Sequence, residues 1–470
     1  MLWFRDDLRL ADHPALRAAA ANGGSILPCY VLDDSGPESP GAASRWWLHG
    51  SLASLARDIG AQGGNLVLRR GSTVAEIEKL VAETNAAVVH CSQSYEPTGR
   101  RHESSLRAAL LVRGVRLETH AGNMLFDPER VRTADGKPFR VFTAFWNSCR
   151  EFRVAAPDPV PRAIVFSRAA VRSDSLDDWR LRPHDPDWAK GFGQLWNPGE
   201  AGARARLDAF VGVPIRGYAS ARDRFDLERT SRLSPHLHFG EVSVRAAWSA
   251  AGTRRSASRE AFLRELCWRE FARHLVWHWP DFPTQSFRRE FRRFPWLDDP
   301  GTLARWQRGV TGYPVVDAGM RQLWQTGWMH NRVRMVVASF LTKHLLIPWQ
   351  AGARWFWDTL VDADLANNSV SWQWVAGSGP DAAPYFRIFN PALQGQKFDP
   401  QGDYVRRWVP ELARMPAAFI HDPMAAPAGA LREARVEPGA SYPLPIVVHR
   451  EARHRALRAF DTLSEGRKGR

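Results

Sequence analysis

Two hydrophobic periodicities divide this chain. In its first quarter, short apolar runs with β-branched residues recur at Ile26–Leu32 (ILPCYVL), Asn65–Arg69 (NLVLR) and Ala86–Cys91 (AAVVHC). Helical stretches such as Arg45–Asp58 and Val74–Thr84 separate them. Strands alternating with helices imply a parallel sheet with crossover helices, here a Rossmann-like α/β domain over residues 1–126. The chain opens directly on its first strand, which looks a few residues short, so the natural start is expected upstream.

Residues 127–199 change character. Prolines recur at 157, 159, 161, 183, 186 and 198 among Gly, Asp and Ser, the composition of a long surface connector. From about residue 200 the pattern is helical. Ser258–Trp279 (SREAFLRELCWREFARHLVWHW) has apolar residues at helical spacing and stops at Pro280. Asp317–His330 and Asn331–Leu346 read as a helix pair or one bent helix, and Trp355–Leu365 as a further helix. Residues 200–470 are thus expected to form a large all-α domain.

Composition narrows the function. At 470 residues the chain is long for one core, and two or three domains are expected. No segment approaches the roughly 20 apolar residues of a membrane span, and MLWFRDDLRL has no signal-peptide core, which points to a cytoplasmic protein. Cysteines 29, 91, 149 and 267 form no CxxC pair, so neither a zinc site nor a disulfide framework is indicated. A net charge of +14 favours a polyanionic partner such as nucleic acid, against the alternative of a merely arginine-rich proteome. The 21 tryptophans, most of them beyond residue 267, exceed what core filling needs. They suggest stacking on planar ligands or electron transfer between rings.

Four stretches carry chemistry. TSRLSP (Thr230–Pro235) combines hydroxyls, backbone N–H groups and an arginine at a helix start, which suits phosphates; a plain helix N-cap is the competing reading. Glu265 and Trp268 sit three apart on one helix face. A carboxylate beside an indole needs a ligand or a partner, for which Arg269 is a candidate. In WMHNRVRM (Trp328–Met335), Asn331, Arg334 and Met335 share a face, and Arg332 points elsewhere, toward a phosphate. Last comes DADLANNSVSWQW (residues 362–374). Its aspartates lack a His or Cys at ligand spacing, so no metal is expected there. Asp362 could instead pair with Arg334, Asp364 could accept from a ring N–H or a hydroxyl, and Asn368 could face a heterocycle nitrogen. Trp372 and Trp374 diverge, one inward and one outward.

Together these segments resemble the photolyase/cryptochrome flavoprotein family, most closely the class I cyclobutane pyrimidine dimer photolyases. The likeness runs from WFRDDLRLADHPAL (Trp3–Leu16) through TSRLSPHLHFGEVS, LRELCWREF, GYPVVDAGMRQLWQTGWMHNRVRM and DADLANNSVSWQWVAG to PYFRIFNP. It implies an N-terminal α/β domain, a linker, and a helical domain holding FAD, active as FADH⁻. It further implies that Tyr218 and Thr230, Ser231, Arg232, Leu233 and Ser234 bind the phosphate side. Phe262, Arg269, Asn331, Arg334, Asp362, Ala363 and Asp364 would complete the flavin's surroundings. Asn368 occupies the position facing flavin N5, where plant cryptochromes usually carry Asp and many animal ones Cys.

Glu265, Trp268, Asn331, Arg332, Met335 and Trp374 match the family's lesion pocket, with Glu265 on the pyrimidine carbonyls and the two indoles stacking on the flipped dimer. Met335 stands where photolyases for (6-4) lesions typically have His. Trp372, Trp349 and Trp296 match a tryptophan chain that carries electrons to the flavin; three packed core indoles are the alternative. The resemblance thus implies light-driven repair of pyrimidine dimers in DNA by a monomer without a metal, with a blue-light photoreceptor as the second reading. The N-terminal antenna site departs from the folate pattern: Thr98 and Gly99 stand where folate binders often have Asn-Glu. A folate held differently, a deazaflavin, another flavin or an empty site all stay open.

Overall fold

The computed structural model describes residues 1–381 and 386–468, the side chains of 464–468 excepted. Pro384 and Tyr385 of the PYFRIFNP motif lie outside the described residues. The chain divides into two compact units: Met1–Ala219 with Thr230–Pro280 and Val361–Ala366, and Ser220–Arg229 with Asp281–Leu360 and Asn367–Arg470.

The first unit contains the expected parallel sheet. Its strands are β1 (Leu2–Phe4), β2 (Pro28–Leu32), β3 (Val67–Arg70), β4 (Val88–Ser92) and β5 (Arg116–His120), in the order β3-β2-β1-β4-β5. Every neighbour pair is parallel, with Leu2 opposite both Pro28 and His90. Helices α1 (Pro14–Ala21), α2 (Ala42–Gly60), α3 (Thr73–Thr84) and α4 (Pro97–Val112) cross between strands. Strands β1 and β2 are apolar on both faces, and Trp3, Cys29, Val31, Val67, Val89 and Cys91 pack with Ile77, Leu80 and Leu106 into one core. The sequence reading lacks β5. RLETH alternates and is mostly half-exposed, as suits an edge strand with one wet face, so it carries no apolar run.

The connector is more structured than its prolines suggest. Helix α5 (Phe142–Cys149) buries Phe142, Phe145, Trp146 and Cys149. Phe142, Phe145 and Phe271 pack ring against ring, Phe271 coming from the long helix α7 (Ala257–His278). This packing draws residues 230–280 into the same compact unit as the sheet, whereas the sequence places them with the helical remainder. A short helix, α6 (Ser234–His238), follows the TSRL loop.

The second unit is helical. Its boundaries shift where glycine and aspartate interrupt the periodicity. A helix spans Pro314–Thr326 and ends at Gly327, whose φ of 66° is the left-handed cap that glycine adopts without strain. His330 therefore starts the next helix, α8 (Asn331–Ser339), and does not end the previous one: its Nδ1 accepts from Arg332 N at 3.2 Å. The expected helix over Trp355–Leu365 is instead two, α9 (Trp349–Thr359) and α10 (Leu365–Ala376), with the aspartates in the break between them. No helix among the described residues is long and apolar enough to cross a membrane.

Candidate functional site

In the first unit, α7 carries Phe262, Glu265, Trp268, Arg269 and Arg273 along its length. Buried Phe262 packs edge-on against Tyr218, with ring centroids 5.9 Å apart, and both meet Phe210. Trp268 lies flat on Phe142, with centroids 3.7 Å apart and planes within 7°. One face of that indole is therefore braced by protein. Glu265 is half-buried one helical turn before it. Arg269, one turn beyond Glu265, donates to Glu270 Oε1 at 3.1 Å, Asn123 O at 2.5 Å and Leu237 O at 3.3 Å. Burial, then the neighbouring Arg273, pushes the Arg269 guanidinium down to about 10.

Arg273 is the residue the sequence reading missed. Its Nη2 donates to Asp364 Oδ2 at 2.9 Å, with both side chains buried, and His238 Nδ1 approaches the same oxygen at 3.9 Å. Burial alone would raise the Asp364 carboxyl, but Arg273 and His238 hold it well below the ordinary range. Asp364 also raises Arg273 in return, against its own burial. The signal was present as spacing: 265, 269 and 273 recur every fourth residue on one helix face. Half-buried Glu96, at the start of α4, answers to the same cluster. Burial and then the charge of Asp364 push its carboxyl well above the ordinary range.

Upstream, the TSRL loop is not a capped helix start. Leu233 occupies the cap position of α6 with no side-chain cap bond. Arg232 adopts a left-handed φ of 50°, and Leu233 after it is αR. A left-handed residue followed by a right-handed one turns successive backbone N–H groups toward one concavity, a geometry that receives anions. Thr230, Ser231 and Arg232 are half-buried and Ser234 is exposed. Asp362 and Ala363 are buried beside Asp364.

These residues fit a flavin dinucleotide. Anion-receptive backbone, hydroxyls and guanidinium groups suit its phosphates, and carboxylates suit its ribose hydroxyls. Arg273 Nε is buried without a hydrogen-bond partner among the described residues, so it has a donor to offer to a ligand or a water.

The second unit holds the other sequence candidates. On α8, Asn331 is exposed while Arg334 and Met335 are half-buried. Arg334 Nε donates to Met329 O at 2.7 Å, and its guanidinium lies 5.9 Å from the Trp328 ring centre. Arg332 does not point to open solvent. It pairs with Asp223 at 2.7 Å and covers the ring of Phe398, so a phosphate would compete with that carboxylate. Burial pushes His330 down to about 4, which keeps it the neutral cap its geometry requires.

On α10, Asn368 and Trp372 are one turn apart. Asn368 Nδ2 donates to Ala353 O at 3.0 Å, which fixes the orientation of its amide. Buried Trp372 packs against Phe356 at 5.0 Å and Trp306 at 6.3 Å, while Trp374, two residues on, is half-buried. Gly352 makes room: a Cβ there would fall on the Trp372 indole. Trp349 is buried with its Nε1 on Ser286 Oγ at 3.2 Å. Trp296 is half-buried with its Nε1 on Phe291 O at 3.3 Å. These three tryptophans make no mutual ring contact among the described residues; each is seated separately.

Residues 1–162 match the family model described as DNA photolyase, and residues 262–462 the one described as the FAD binding domain of DNA photolyase. The deoxyribodipyrimidine photo-lyase of Agrobacterium fabrum is 48% identical over 466 residues, covering 98% of this chain and 97% of that protein. Cryptochrome-2 of Arabidopsis thaliana is 37% identical over 484 residues, covering 99% of this chain and 79% of that protein. The crystal structure of a bacterial class III photolyase from Agrobacterium tumefaciens has a TM-score of 0.96 at 46% identity, covering 99% of this chain and 97% of that one. The sequence motifs resemble class I, whereas this structural neighbour is described as class III.

Proposed function

This chain belongs to the photolyase/cryptochrome family and carries its FAD-binding domain, and from that premise we propose that it repairs cyclobutane pyrimidine dimers in DNA under blue light. The observation that most favours repair over signalling is Asn368, an amide where plant cryptochromes usually carry a carboxylate, held in one orientation by Ala353 O. FAD, when bound and fully reduced, supplies the light-excited electron donor.

The protein's own groups bind, orient and exclude water. The Arg232–Leu233 backbone and the hydroxyls of Thr230, Ser231 and Ser234 hold phosphates, with Tyr218 and Phe262 walling that side. The Asp364–Arg273 pair keeps a fixed negative charge beside a fixed positive one in a dry setting. Asp362, Ala363, Arg269, Asn331 and Arg334 complete the cofactor's surroundings. Asn368 would offer its remaining amide atoms to a bound flavin ring. Repair requires the damaged bases to leave the stack, a strategy shared by enzymes that act on bases, photolyases among them. Trp268, stiffened by Phe142, offers a flat platform, and Glu265 one turn away accepts or donates at the pyrimidine carbonyls. Trp374, Met335, Asn331 and Arg332 are also assigned to lesion binding. Trp372, Trp349 and Trp296 would relay electrons inward to a bound flavin by hops between separated rings.

The net charge of +14 suits a DNA partner. We further read the protein as a cytoplasmic monomer whose domains follow residues 1–126, 127–199 and 200–470. An antenna chromophore, folate or deazaflavin, would take the crevice at the carboxyl ends of β1 and β4, where the strand order reverses. A photoreceptor role is the second reading, favoured by the 37% identity to a cryptochrome over nearly the whole chain. One experiment separates them: purified, reduced protein is incubated with a thymine-dimer oligonucleotide in blue light and in darkness. Light-dependent loss of the dimer is the expected result; flavin photochemistry without repair would favour the photoreceptor.

A further inference from the structure

Away from the residues above, the sheet face covered by α1 gathers a different kind of chemistry. His90 lies on β4, and Glu118 and His120 on the edge strand β5, with His90 directly opposite Glu118 in the register. Side chains at 90, 118 and 120 share one face because strand residues alternate. His90 Nδ1 stands 3.0 Å from His120 Nε2 and 3.5 Å from Glu118 Oε2, and one atom from each of the three residues falls within 4.8 Å of the others. The two imidazole planes are within 25° of parallel. His90 is buried, while Glu118 and His120 are half-buried, so the cluster has a protein floor and an open side. On the far side of His90, its Nε2 is 3.1 Å from Asn22 Nδ2, at the C-terminal cap of α1. Glu118 Oε1 is held by exposed Arg116 at 3.2 Å.

We propose that His90, Glu118 and His120 bind a divalent transition-metal ion of the zinc class, with water in the fourth position. Two imidazole nitrogens and a carboxylate are a donor set that this class takes, and Mg²⁺ and Ca²⁺, which favour oxygen ligands, do not. A tetrahedral ion with Zn–N bonds of about 2.0–2.1 Å separates its ligand nitrogens by about 3.3 Å, so the two rings need to part by about 0.3 Å and tilt until both lone pairs converge on the ion. The proton balance closes locally. In the metal-free arrangement His90 carries its proton on Nδ1 and accepts at Nε2 from the Asn22 amide. On binding, that proton moves to Nε2, Nδ1 takes the metal, and Asn22 turns its amide to present Oδ1 to the new N–H. A metal-bound histidine commonly donates its other N–H to such an oxygen. Asn22 is exposed and can turn freely. The ion would tie the edge strand β5 to β4.

The test is calorimetric titration of the tag-free, flavin-loaded protein with ZnCl₂, alongside Mg²⁺. One zinc and no magnesium per chain is expected, with a rise in melting temperature that grows with zinc concentration. His120→Ala should lose the site while its flavin spectrum stays normal. Asn22→Ala, at an exposed position, should weaken zinc binding about 10–100-fold. Arg116→Ala, which releases Glu118, should tighten it. Equal zinc stoichiometry and affinity in wild type, His120→Ala and Asn22→Ala would overturn the proposal, as would the absence of zinc binding to the wild type.

Discussion

Arg273 Nη2 donates to Asp364 Oδ2 at 2.9 Å across 91 residues of sequence, and both side chains are buried. A buried pair of this kind is costly to break from one side, because the remaining charge is left without a counter-ion in a low dielectric. Asp364→Asn should destabilise the fold by about 3–5 kcal/mol. It should also lower the flavin-to-protein ratio, since the same carboxylate is assigned to the cofactor. Urea denaturation and the flavin absorbance of purified protein measure the two effects. Full flavin occupancy in a variant of normal stability would remove Asp364 from the site.

Glu265 is assigned to the lesion and not to the flavin. Glu265→Ala should leave FAD bound while weakening lesion binding. Loss of a hydrogen bond involving a charged group costs about 1.5–3 kcal/mol, roughly tenfold or more in affinity. Gel-shift titration with a dimer-containing duplex, together with the repair yield per photon, checks this. Undiminished repair would refute the role.

Trp372→Phe should block photoreduction of the oxidised flavin yet spare repair by chemically reduced enzyme, as followed by flavin bleaching under blue light. Loss of both activities would count against electron relay and for a purely structural indole.

Gly352 offers a second approach to the same ring. In a helix interior, Gly→Ala ordinarily gains about 1 kcal/mol. Here the added methyl group meets the Trp372 indole, so Gly352→Ala should instead destabilise by about 1–3 kcal/mol. A stabilised Gly352→Ala protein would show that the indole has room to move.

Burial, then the charges of His278 and Arg132, pushes His274 down to about 3. Its neighbours are Phe145 at 5.1 Å and Phe271 at 6.4 Å. The unfolded chain takes up a proton near pH 6.5 and the folded one does not. The stability that this histidine contributes is therefore complete above about pH 6.5 and lost as the pH falls toward 3. His274→Phe removes that loss. Its stability relative to wild type should rise by about 1.4 kcal/mol per pH unit between pH 6 and 4. Urea midpoints at three pH values suffice, and a constant difference would mean that His274 takes up its proton as readily in the fold as in the unfolded chain.

Much of this protein could be read along the chain. Local pattern is enough to place the parallel sheet, because apolar runs and the helices between them are properties of neighbouring residues. Contiguous motifs such as DADLANNSVSWQW carry the family resemblance for the same reason. Pairing is another matter. Nothing in the local sequence pairs Asp364 with Arg273, 91 residues away, yet their side chains meet at 2.9 Å. The brace behind Trp268 comes from Phe142, in a stretch whose prolines suggest a mere connector. The His90, Glu118 and His120 cluster depends on the register of an edge strand too polar to announce itself. Charges and rings select partners by distance through space and by what burial denies them, and neither quantity exists until the chain has folded.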